Sequence, residues 1–492
     1  MKILLVYPET PVTFWSFKDA LRFISKKSAE PPLGLLTIAA MLPVDWDKKL
    51  IDMNVSPLKD EQIRWADYLF LTGMNIHKCS FKKVMRRSNE LNTPVVAGGP
   101  MVTTDYEEFL GVDHFVLNEA EATLPPFLND LRAGKAKHIY TTKEFPEITH
   151  TPVPLWHLLE KKKYGNMSIQ YSRGCPYNCE FCSITMLNGH RPRTKSTEQF
   201  LAELTTLFDY GWRGSIFVVD DNFIGNKKKI KNELLPALIE WSKQHHYPFE
   251  FGTETSINLA DDDRLIKLMA EAGFNHTFIG IETPNDESLA ECGKTQNLKQ
   301  DLLPSIKKLH KAGLRVSGGF IIGFDHDLSD IFEQQIRFIR NSGIVTAMVG
   351  LLNAPAGTRL FERLKKENRL LSNSSGNNMD GSINFIPKMK YQTLIAGYKR
   401  VLETIYSPKE YYERVKTFLT EYQSTIKNPV RITFSEIKAL FKSMWFLGVL
   451  EKGKQYYWKL FFLSLFKYPK KFPMAITLAI YGFHFRQVVK TT

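Results

Sequence analysis

Three cysteines close together constrain this chain more than any other feature. Cys175, Cys179 and Cys182 follow the apolar run at residues 167–171 with the spacing C-x3-C-x2-C. Thiolates this close on one loop can hold a single metal centre. Closed structural zinc sites and most iron–sulfur cubes take four protein ligands, so three cysteines leave one coordination position open. The loop therefore predicts a metal centre that can also bind substrate.

The other two cysteines, Cys79 and Cys292, lie far from this loop and have no partner at metal-ligand spacing, so we expect both to be ordinary buried thiols. Five cysteines in 492 residues do not form a disulfide framework. Without a secretory signal at the amino terminus, the sequence predicts a protein of the reducing cytoplasm. A zinc knuckle completed by a distant ligand such as His190 is the alternative for the loop.

The loop resembles the signature of the radical S-adenosylmethionine enzymes, C-x3-C-x-aromatic-C, with Phe181 in the aromatic position. The resemblance implies that the three cysteines are the catalytic metal ligands and hold a [4Fe-4S] cluster. It also implies that the fourth iron binds the amino and carboxylate groups of S-adenosylmethionine, with Phe181 packed near the adenine. The zinc alternative is less favoured, because a strand precedes the loop and further strands follow it.

The first block, residues 1–151, alternates short apolar runs with segments of helix length. Such alternation predicts an α/β fold with a doubly wound parallel sheet, which binds ligands at the carboxyl ends of its strands. Glycine at such an end lets a large flat ligand approach the backbone. The predicted strands cover residues 3–7, 49–52, 68–72, 94–97 and 114–117. The candidate cofactor-binding residues at these ends are Thr72, Gly73, Gly98, Gly99 and Pro100.

Placed directly before the cysteine loop, this block resembles the cobalamin-binding domain of the radical enzymes that use both cofactors, as do residues 31–35 (PPLGL). Cobalamin is therefore expected as a cofactor. Domains that replace the cofactor's own base carry D-x-H-x-x-G after the first strand, whereas residues 7–11 contain no histidine. We therefore expect cobalt without a histidine on its lower face. His77, the nearest imidazole, is interpreted as a surface or packing residue.

Residues 152–388 repeat the strand-and-helix rhythm around the cysteine loop. The predicted strands cover residues 167–171, 215–219, 249–253, 276–281, 315–322 and 347–352. Six such repeats match the partial barrel that the family resemblance implies. Polar residues follow several of these strands, and active residues of parallel barrels gather at the carboxyl ends. Helix N-caps and solvated loop charges are the alternative role for such side chains.

By the same resemblance these strand ends receive S-adenosylmethionine. The segment of Asp220, Asp221 and Asn222 matches the one that meets its ammonium group. The candidates for its ribose hydroxyls or other polar contacts, and for the glycine motif near its adenine, are Glu254, Ser256, Glu282, Gly319 and Gly323. Arg173 and Arg191 flank the cluster and are expected either to pair with a carboxylate or phosphate or to lie on the surface.

Residues 372–381 are a turn-rich break, after which residues 389–492 read as a helical domain. Residues 390–492 contain 18 Lys and Arg against 6 Glu and no Asp, so nearly all of the formal charge of +13 is located there. From 452 to 492 there are 8 Lys and Arg, no acidic residue and 11 aromatic residues. This mixture predicts peripheral contact with an anionic bilayer, or else a packed helix with solvated lysines. The longest uncharged stretch, residues 472–485, is too short to span a membrane.

Together these features predict a cobalamin-dependent radical methyltransferase that acts on an unactivated carbon of an apolar substrate, an isoprenoid lipid or a tetrapyrrole. The branch that contains the hopanoid C-2 methylase and the bacteriochlorophyll side-chain methylases is the most similar. An external electron donor of the flavodoxin or ferredoxin type and no nucleic acid are expected as partners. A cobalamin-dependent cyclase or rearrangement enzyme is the alternative. A non-catalytic metal module that binds nucleic acid, suggested by the pI of 9.2, and a methylthiotransferase are less favoured.

Overall fold

The computed structural model describes residues 1–298, 300–377, 380–424 and 434–491. Within these residues the chain forms two six-stranded parallel sheets with helices packed on them, followed by a group of helices. The α/β fold class is therefore confirmed. The predicted boundaries near residues 151 and 388 stay predictions.

The first sheet contains β1 to β6 in the order β2-β1-β3-β4-β5-β6, with every described pairing parallel. Its central strands are apolar because helices cover both faces, and residues 3–6 of β1 have no solvent exposure. The strands are β1 Lys2–Tyr7, β2 Asp47–Asp52, β3 Tyr68–Thr72, β4 Val95–Gly98, β5 His114–Val116 and β6 Ile139–Tyr140. The helices in this part of the chain are α1 Lys18–Leu21, which packs on the barrel, and α2 Leu33–Met41, α3 Asp60–Trp65, α4 Lys78–Glu90, α5 Pro100–Asp105 and α6 Ala120–Arg132.

The second sheet runs in the order β14-β13-β12-β11-β10-β7 and is parallel throughout. Its strands are β7 Met167–Ile169, β10 Gly214–Val218, β11 Phe249–Thr255, β12 Phe274–Glu282, β13 Arg315–Ile322 and β14 Ala347–Leu351. A short antiparallel pair, β8 Ser172–Arg173 and β9 Arg193–Thr194, flanks the cysteine loop. The first and last strands of the sheet do not pair within the described residues, which matches the expected partial barrel.

Helices surround this barrel, and their apolar stripes cover the outer face of the strands. In β12, for example, Thr277, Ile279 and Ile281 are fully buried, whereas Phe278 and Gly280 alternate with them and face inward. The helices are α7 Ile184–Asn188, α8 Thr197–Asp209, α9 Lys227–Lys229, α10 Leu235–Gln244, α11 Asp263–Ala272, α12 Asp286–Glu291, α13 Thr295–Leu298, α14 Leu302–Lys311, α15 Ile331–Ser342 and α16 Arg359–Lys366.

A segment from the first block, residues 13–30, packs on the barrel instead of on the first sheet. Ser28 bridges to Tyr164 just before β7, and the Asn166 amide donates to the Ala29 carbonyl at 2.8 Å. At its other end the Phe14 ring lies 5.5 Å from the Tyr406 ring, which packs beside β14. The segment therefore bridges the two sides of the barrel that lack a common strand pair.

The remaining helices are α17 Tyr391–Tyr406, α18 Pro408–Glu421, α19 Phe434–Trp445, α20 Lys454–Lys467 and α21 Phe472–Thr491. They continue the barrel core, because the Tyr406 hydroxyl donates to the Ala347 carbonyl at 2.5 Å and Tyr398 packs on β14. The preceding turn-rich segment is anchored at its end by Asn384, whose side chain pairs with the backbone of Ala354. None of the helices in the described residues is both long and apolar enough to cross a membrane.

Candidate active site

Two aspartates hold the cysteine loop at the carboxyl edge of the barrel. The Asp220 carboxylate, which follows β10, accepts hydrogen bonds from the backbone amides of Tyr171 and Ser172 at 2.7 and 2.8 Å. Asp221 accepts one from the backbone amide of Gly174 at 2.8 Å. Burial raises the pKa of Asp220 to about 7, although these hydrogen bonds oppose the shift. Both carboxylates are therefore occupied in fixing the backbone that leads into the first cysteine.

Gly174 itself is required by the close packing of this loop. Its φ is +95°, and a Cβ there would lie 2.8 to 3.0 Å from the carbonyl oxygens of residues 188, 189 and 191. Further along the loop, the Glu180 amide donates to the Cys292 carbonyl at 2.8 Å, and Arg363 pairs with the Glu180 carboxylate at 2.7 Å. The loop is thus tied to the barrel on both sides of its cysteines.

The three thiols lie within electrostatic reach of one another. Burial, together with the other two cysteines, raises the pKa of Cys182 to about 12, and burial also raises that of Cys175. Within the described chain, no group of three or more His, Cys, Asp or Glu side chains is arranged as a metal site. The structure therefore places three cysteine sulfurs on one anchored loop, but it does not bring them together in the geometry of a metal site.

Lys294 is a cation that acts on these thiols. Its side chain is nearly buried and donates to the Glu282 carboxylate at 2.6 Å. The charges of Cys179 and Cys182 also stabilise its ammonium form. Burial alone would lower its pKa, but the negative charge of Glu282 and of the thiolates raises it. Gln296 adds a long contact of 3.8 Å to the sulfur of Cys179. A permanent positive charge beside the loop favours thiolates, which are the metal-binding form.

Asn222 is the member of the predicted ammonium-contacting segment that retains an unpartnered acceptor. Its amide nitrogen donates to Ser256 at 3.3 Å, and Ser256 donates to Asn258 at 2.7 Å. Asn258 donates in turn to the hydroxyl of Tyr177, which lies between the first two cysteines. The buried Oδ1 of Asn222 has no hydrogen-bond partner among the described residues. An unsatisfied buried acceptor is costly, so this oxygen fits a bound ammonium group.

The other barrel candidates line its interior beside Lys294. Burial and nearby carboxylates raise the pKa of Glu254 to about 8. Gly319 pairs with Gly280 across β12 and β13, and Lys294 lies where a Cβ on Gly280 would be. Glu282 has a left-handed φ of +63°, which aims its carboxylate back at this lysine. Thus Glu282 forms an ion pair with Lys294 of the chain itself.

Phe181 and Gly323 lie at the same edge, on the side of the last two strands. The Phe181 ring is half-buried, with its centroid 6.3 Å from that of Phe324. Gly323 has φ +113°, and its amide donates to the Asp327 carboxylate at 2.8 Å. The position requires glycine for the turn after β13, and the turn brings Phe324 against Phe181.

Threonine and glycine turns form the carboxyl ends of β3 and β4 in the first sheet. Thr72 donates to the Gly98 carbonyl at 2.9 Å, and a Cβ on Gly99, whose φ is +97°, would collide with the Thr72 hydroxyl. A Cβ on Gly98 would lie 2.8 Å from the carbonyl of Val116, and one on Gly73 would press on a neighbouring histidine. Exposed Pro100 begins α5, where a missing amide hydrogen costs nothing. Close packing therefore explains the glycines at these strand ends.

His77 is a packing residue. Its Nδ1 accepts from the Met74 amide at 3.0 Å, and its Nε2 is 2.9 Å from the Thr10 hydroxyl. Burial lowers its pKa to about 4, so the ring is neutral. A neutral imidazole has one lone pair on nitrogen, and here the Met74 amide uses it, so His77 has none for a metal.

An ion-pair network joins the two sheets at their carboxyl edges. Arg173 pairs with Glu119 at 2.8 Å and with Glu121 at 2.9 Å, and Arg193 pairs with Glu119 at 2.6 Å. The two glutamates follow β5, whereas the two arginines flank the cysteine loop. Arg173 therefore binds a carboxylate of the chain itself, and Arg191 is exposed.

Two sequence expectations, those for Cys79 and His190, need correction or remain unsupported. Cys79 is exposed and not buried, because it lies on the outer face of α4. Cys292 is buried as expected. His190 is exposed and belongs to no metal-binding group within the described residues, so the zinc knuckle has no support.

Sequence reasoning missed Lys294, Glu119, Glu121, Arg193 and Glu30. Glu30 is a carboxyl group beside β7 that accepts from Ser168 at 3.1 Å, and burial raises its pKa to about 7. For Glu119 and Glu121, their position just after a predicted strand was the one signal that could have marked them as candidate site residues. The other three lie in segments without a recognisable pattern.

Known families match three parts of this chain. Residues 23–128 match the B12 binding domain, residues 169–339 match the radical SAM superfamily, and residues 358–492 match a domain of unknown function (DUF4070). The matched ranges correspond to the first sheet, the barrel and the terminal helices.

Relatives match nearly the whole chain. An uncharacterized methyltransferase of Synechocystis sp. is 40% identical over 99% of this chain and 92% of its own length. The hopanoid C-2 methylase of Rhodopseudomonas palustris is 32% identical over 93% of this chain and 88% of its own. The fold resembles that of the cobalamin-dependent S-adenosylmethionine radical enzyme OxsB with aqua-cobalamin bound, with a TM-score of 0.62, 15% identity, and 99% and 80% of the two chains covered.

Proposed function

Because this chain belongs to the radical S-adenosylmethionine methyltransferases that carry a B12-binding domain, we propose that it methylates an unactivated carbon of an apolar substrate, an isoprenoid lipid or a tetrapyrrole. Membership of this family makes the protein an enzyme, so the non-catalytic metal module is not retained. The cofactors are a [4Fe-4S] cluster, S-adenosylmethionine and cobalamin.

One observation carries the proposal: the carboxyl edges of the two sheets face each other. Glu119 and Glu121 from the first edge bind Arg173 beside the cysteine loop. On another side, the Asn373 side chain donates to Glu108 at 2.8 Å, and Gly376 packs against Asn75. The glycine turns of the first sheet thus lie on the side that faces the cysteine loop. This arrangement suits two cofactors that act on one substrate bound between them.

The residues present fit the three cofactors. We assign cluster binding to Cys175, Cys179 and Cys182, because three thiols on one loop beside Lys294 match the donor chemistry of iron. The unpartnered oxygen of Asn222 suits the ammonium group of S-adenosylmethionine. The remaining candidates for S-adenosylmethionine and for cobalamin are Phe181, Ser256, Glu254, Glu282, Gly319, Gly323, Thr72, Gly73, Gly98, Gly99 and Pro100.

When bound, the cofactors supply the radical chemistry and the methyl donor, and the protein aligns them. Asp220 and Asp221 hold the backbone of the cysteine loop in place by accepting its amide hydrogens. Lys294 supplies positive charge beside Cys179 and Cys182, where the thiolates accumulate negative charge. Glu282 keeps the lysine side chain in that position.

The barrel interior supports an apolar substrate. The Trp15 and Phe278 rings lie 4.8 Å apart, and half of the Trp15 surface remains accessible. Phe278 faces inward over Gly319, where the missing Cβ makes room for its ring, and aromatic side chains of this kind line most pockets for apolar ligands. The hopanoid C-2 methylase relative is consistent with this substrate class.

We also propose two partners. The formal charge of +13 favours an acidic electron donor such as a flavodoxin or ferredoxin, because complementary charge speeds encounter. Peripheral contact of residues 452–492 with a membrane would give access to a lipid substrate. If the electron donor is attracted by charge, reduction of the cluster by flavodoxin should slow as salt is raised. A salt-independent rate would contradict the proposal that charge attracts the donor.

The test is anaerobic incubation of the reconstituted enzyme with reductant and with lipid and pigment extracts from cells that lack the gene. We expect 5′-deoxyadenosine, S-adenosylhomocysteine and a product heavier by one methyl group. Deoxyadenosine and an altered product without S-adenosylhomocysteine would instead indicate the cyclase or rearrangement enzyme. Extracts of cells with and without the gene identify the compound.

A further inference from the structure

Exposed apolar side chains concentrate in one helical hairpin. It consists of α19, its π-helical continuation Phe446–Leu450, and α20. Of the 22 large exposed apolar residues in the described chain, nine lie in this hairpin, although it covers only residues 434–467. They include Phe466 at 78%, Phe441 at 65% and Trp445 at 57% exposure. A monomeric protein rarely leaves such a concentration of apolar side chains exposed, and such patches usually mark interaction surfaces.

These side chains form two rows that meet at one contact. Phe441 and Trp445 are four residues apart on α19 and therefore share a helix face. On α20, Trp458, Phe462 and Phe466 form a second row whose rings stack in succession. The rows meet where the Trp458 indole donates to the Gly448 carbonyl at 2.9 Å. We call the nine exposed residues the apolar face; they are Ile437, Phe441, Trp445, Phe446, Val449, Leu450, Phe462, Leu465 and Phe466.

The last helix, α21, contributes little to this surface. Ala475, Leu478, Ala479 and Phe485 have no solvent exposure, and its aromatic residues pack on the amino-terminal segment and on α20. The aromatic residues after 471 are thus part of the protein core. The apolar face begins instead at residue 437, fifteen residues before the region that composition alone singled out.

Lysines are the main charged residues of the hairpin and of the turn that follows it. Residues 434–471 contain eight Lys, no Arg and two Glu, and one of these, Glu451, is bound to Arg486 at 2.6 Å. A symmetric dimer through this face would bring two sets of eight lysines together, which opposes a second copy as the partner. An anionic surface with an apolar layer beneath it complements both the lysines and the aromatic rows.

We propose that the α19–α20 hairpin is a membrane-docking surface, which seats its apolar face in the headgroup boundary of an anionic bilayer. The inference rests on the membrane contact proposed above, moves that contact from the terminal helix to the hairpin, and names the lipid chemistry. Docking lets the enzyme take an apolar substrate directly from the bilayer. It requires no membrane-spanning helix.

The docked face adjoins the segment that bridges the barrel. The Phe23 ring lies 5.8 Å from that of Phe446, and the Lys442 ammonium donates to the Arg22 carbonyl at 2.7 Å. The same segment carries Trp15 to its contact with Phe278 inside the barrel. A lipid leaving the bilayer at the hairpin therefore meets the barrel at this segment.

Flotation of the full-length protein tests the inference. The vesicles contain phosphatidylcholine alone or phosphatidylcholine with phosphatidylglycerol, at low and high salt. One variant carries Phe441→Ser, Trp445→Ser, Phe462→Ser and Phe466→Ser, and its matched control carries Val44→Ser, Leu110→Ser and Leu328→Ser at exposed sites elsewhere. A second variant replaces Lys452, Lys454, Lys459 and Lys467 with Gln, and its control carries Lys365→Gln and Lys366→Gln.

We expect the wild type and both controls to float with the anionic vesicles at low salt. The serine variant should lose at least about tenfold in partition coefficient, and the glutamine variant about fivefold per lysine near the surface. Flotation of the serine variant at the wild-type level would overturn the inference. Equal, salt-insensitive binding to both vesicle types would overturn the claim that the hairpin prefers an anionic bilayer. A wild-type dimer that the serine substitutions dissociate, without any flotation, would assign the face to a second copy.

Reductive cleavage of S-adenosylmethionine, measured in the same preparations without vesicles, separates this inference from the proposed activity. It should be equal in the wild type and all four variants, because none of the substituted residues lies at the cysteine loop. Flotation as expected together with no methyl transfer by the wild type would sink the proposed function and leave the docking surface standing.

Discussion

The two parallel sheets present opposite kinds of carboxyl edge. In the barrel, charged side chains fill the edge: Asp220 and Asp221 bind the backbone of the cysteine loop, and Lys294 binds Glu282. In the first sheet the ends of β3 and β4 are the glycine turns that follow Thr72 and precede Pro100, and the charged residues Glu119 and Glu121 lie beyond β5. The barrel edge is thus shaped by charged side chains, whereas the ends of β3 and β4 in the first sheet are shaped by glycine turns.

This difference suits the cofactors that we propose for each edge. Small ions and a charged cofactor are held by a few directed charges, and burial makes each of those interactions strong. A large flat ligand is held by area, so projecting side chains would only obstruct it. Glu119 and Arg173 link the two edges, so that neither sheet is positioned independently of the other.

The largest effect should follow removal of a single thiol. Cys179→Ser is expected to abolish formation of 5′-deoxyadenosine, because two remaining thiols cannot hold the cluster, while circular dichroism shows a folded protein. Cys79→Ser is the matched control, since Cys79 is exposed on the first domain. An equal loss of activity in the control would show that the charged edge is not the site of chemistry.

Glu119→Gln tests the link between the edges. The substitution leaves the buried Arg193 guanidinium without a carboxylate partner, whereas Arg173 keeps Glu121, and it should lower the free energy of unfolding by about 3–5 kcal/mol. Denaturant titration measures it, and exposed Glu107→Gln serves as control. A change no larger than that of the control would mean that the two sheets are held together by other contacts.

Asp221→Asn tests whether directed charge positions the cysteine loop. The amide loses the charge-assisted hydrogen bonds from the Gly174 amide and from Asn188, so we expect destabilisation of about 2 kcal/mol and a reduced iron content after reconstitution. Exposed Asp209→Asn is the control. Full iron loading in Asp221→Asn would argue that the loop keeps its conformation without this carboxylate.

The smallest effect is expected beyond the end of β3, at His77. His77→Gln should cost about 1–2 kcal/mol, because the Met74 amide loses its acceptor, and it should leave the absorption spectrum of bound cobalamin unchanged. Exposed His157→Gln controls for the loss of an imidazole. A spectral shift in His77→Gln alone would reveal a side chain of the first sheet on the cobalt.

Much of the fold could be predicted because strand burial leaves a local pattern. The predicted strands at residues 68–72 and 315–322 coincide with β3 and β13, whereas the two-residue β6 carries too little pattern to detect. The recognition of the family, its reaction type and its cofactors is confirmed, since the spacing of Cys175, Cys179 and Cys182 is itself local.

The sequence by itself determined which chemistry the chain can perform, because the cysteine spacing and the strand periodicity are properties of neighbouring residues. Tertiary structure alone decided what each charged residue does. Asp221 binds Gly174 across 47 residues, and Arg173 binds Glu119 across 54, so no local pattern could reveal that these carboxylates serve the chain itself. Tertiary structure also decided which aromatic residues near the carboxyl terminus are exposed, because composition does not indicate which face of a helix is covered. Packing buried α21 and left the α19–α20 hairpin exposed.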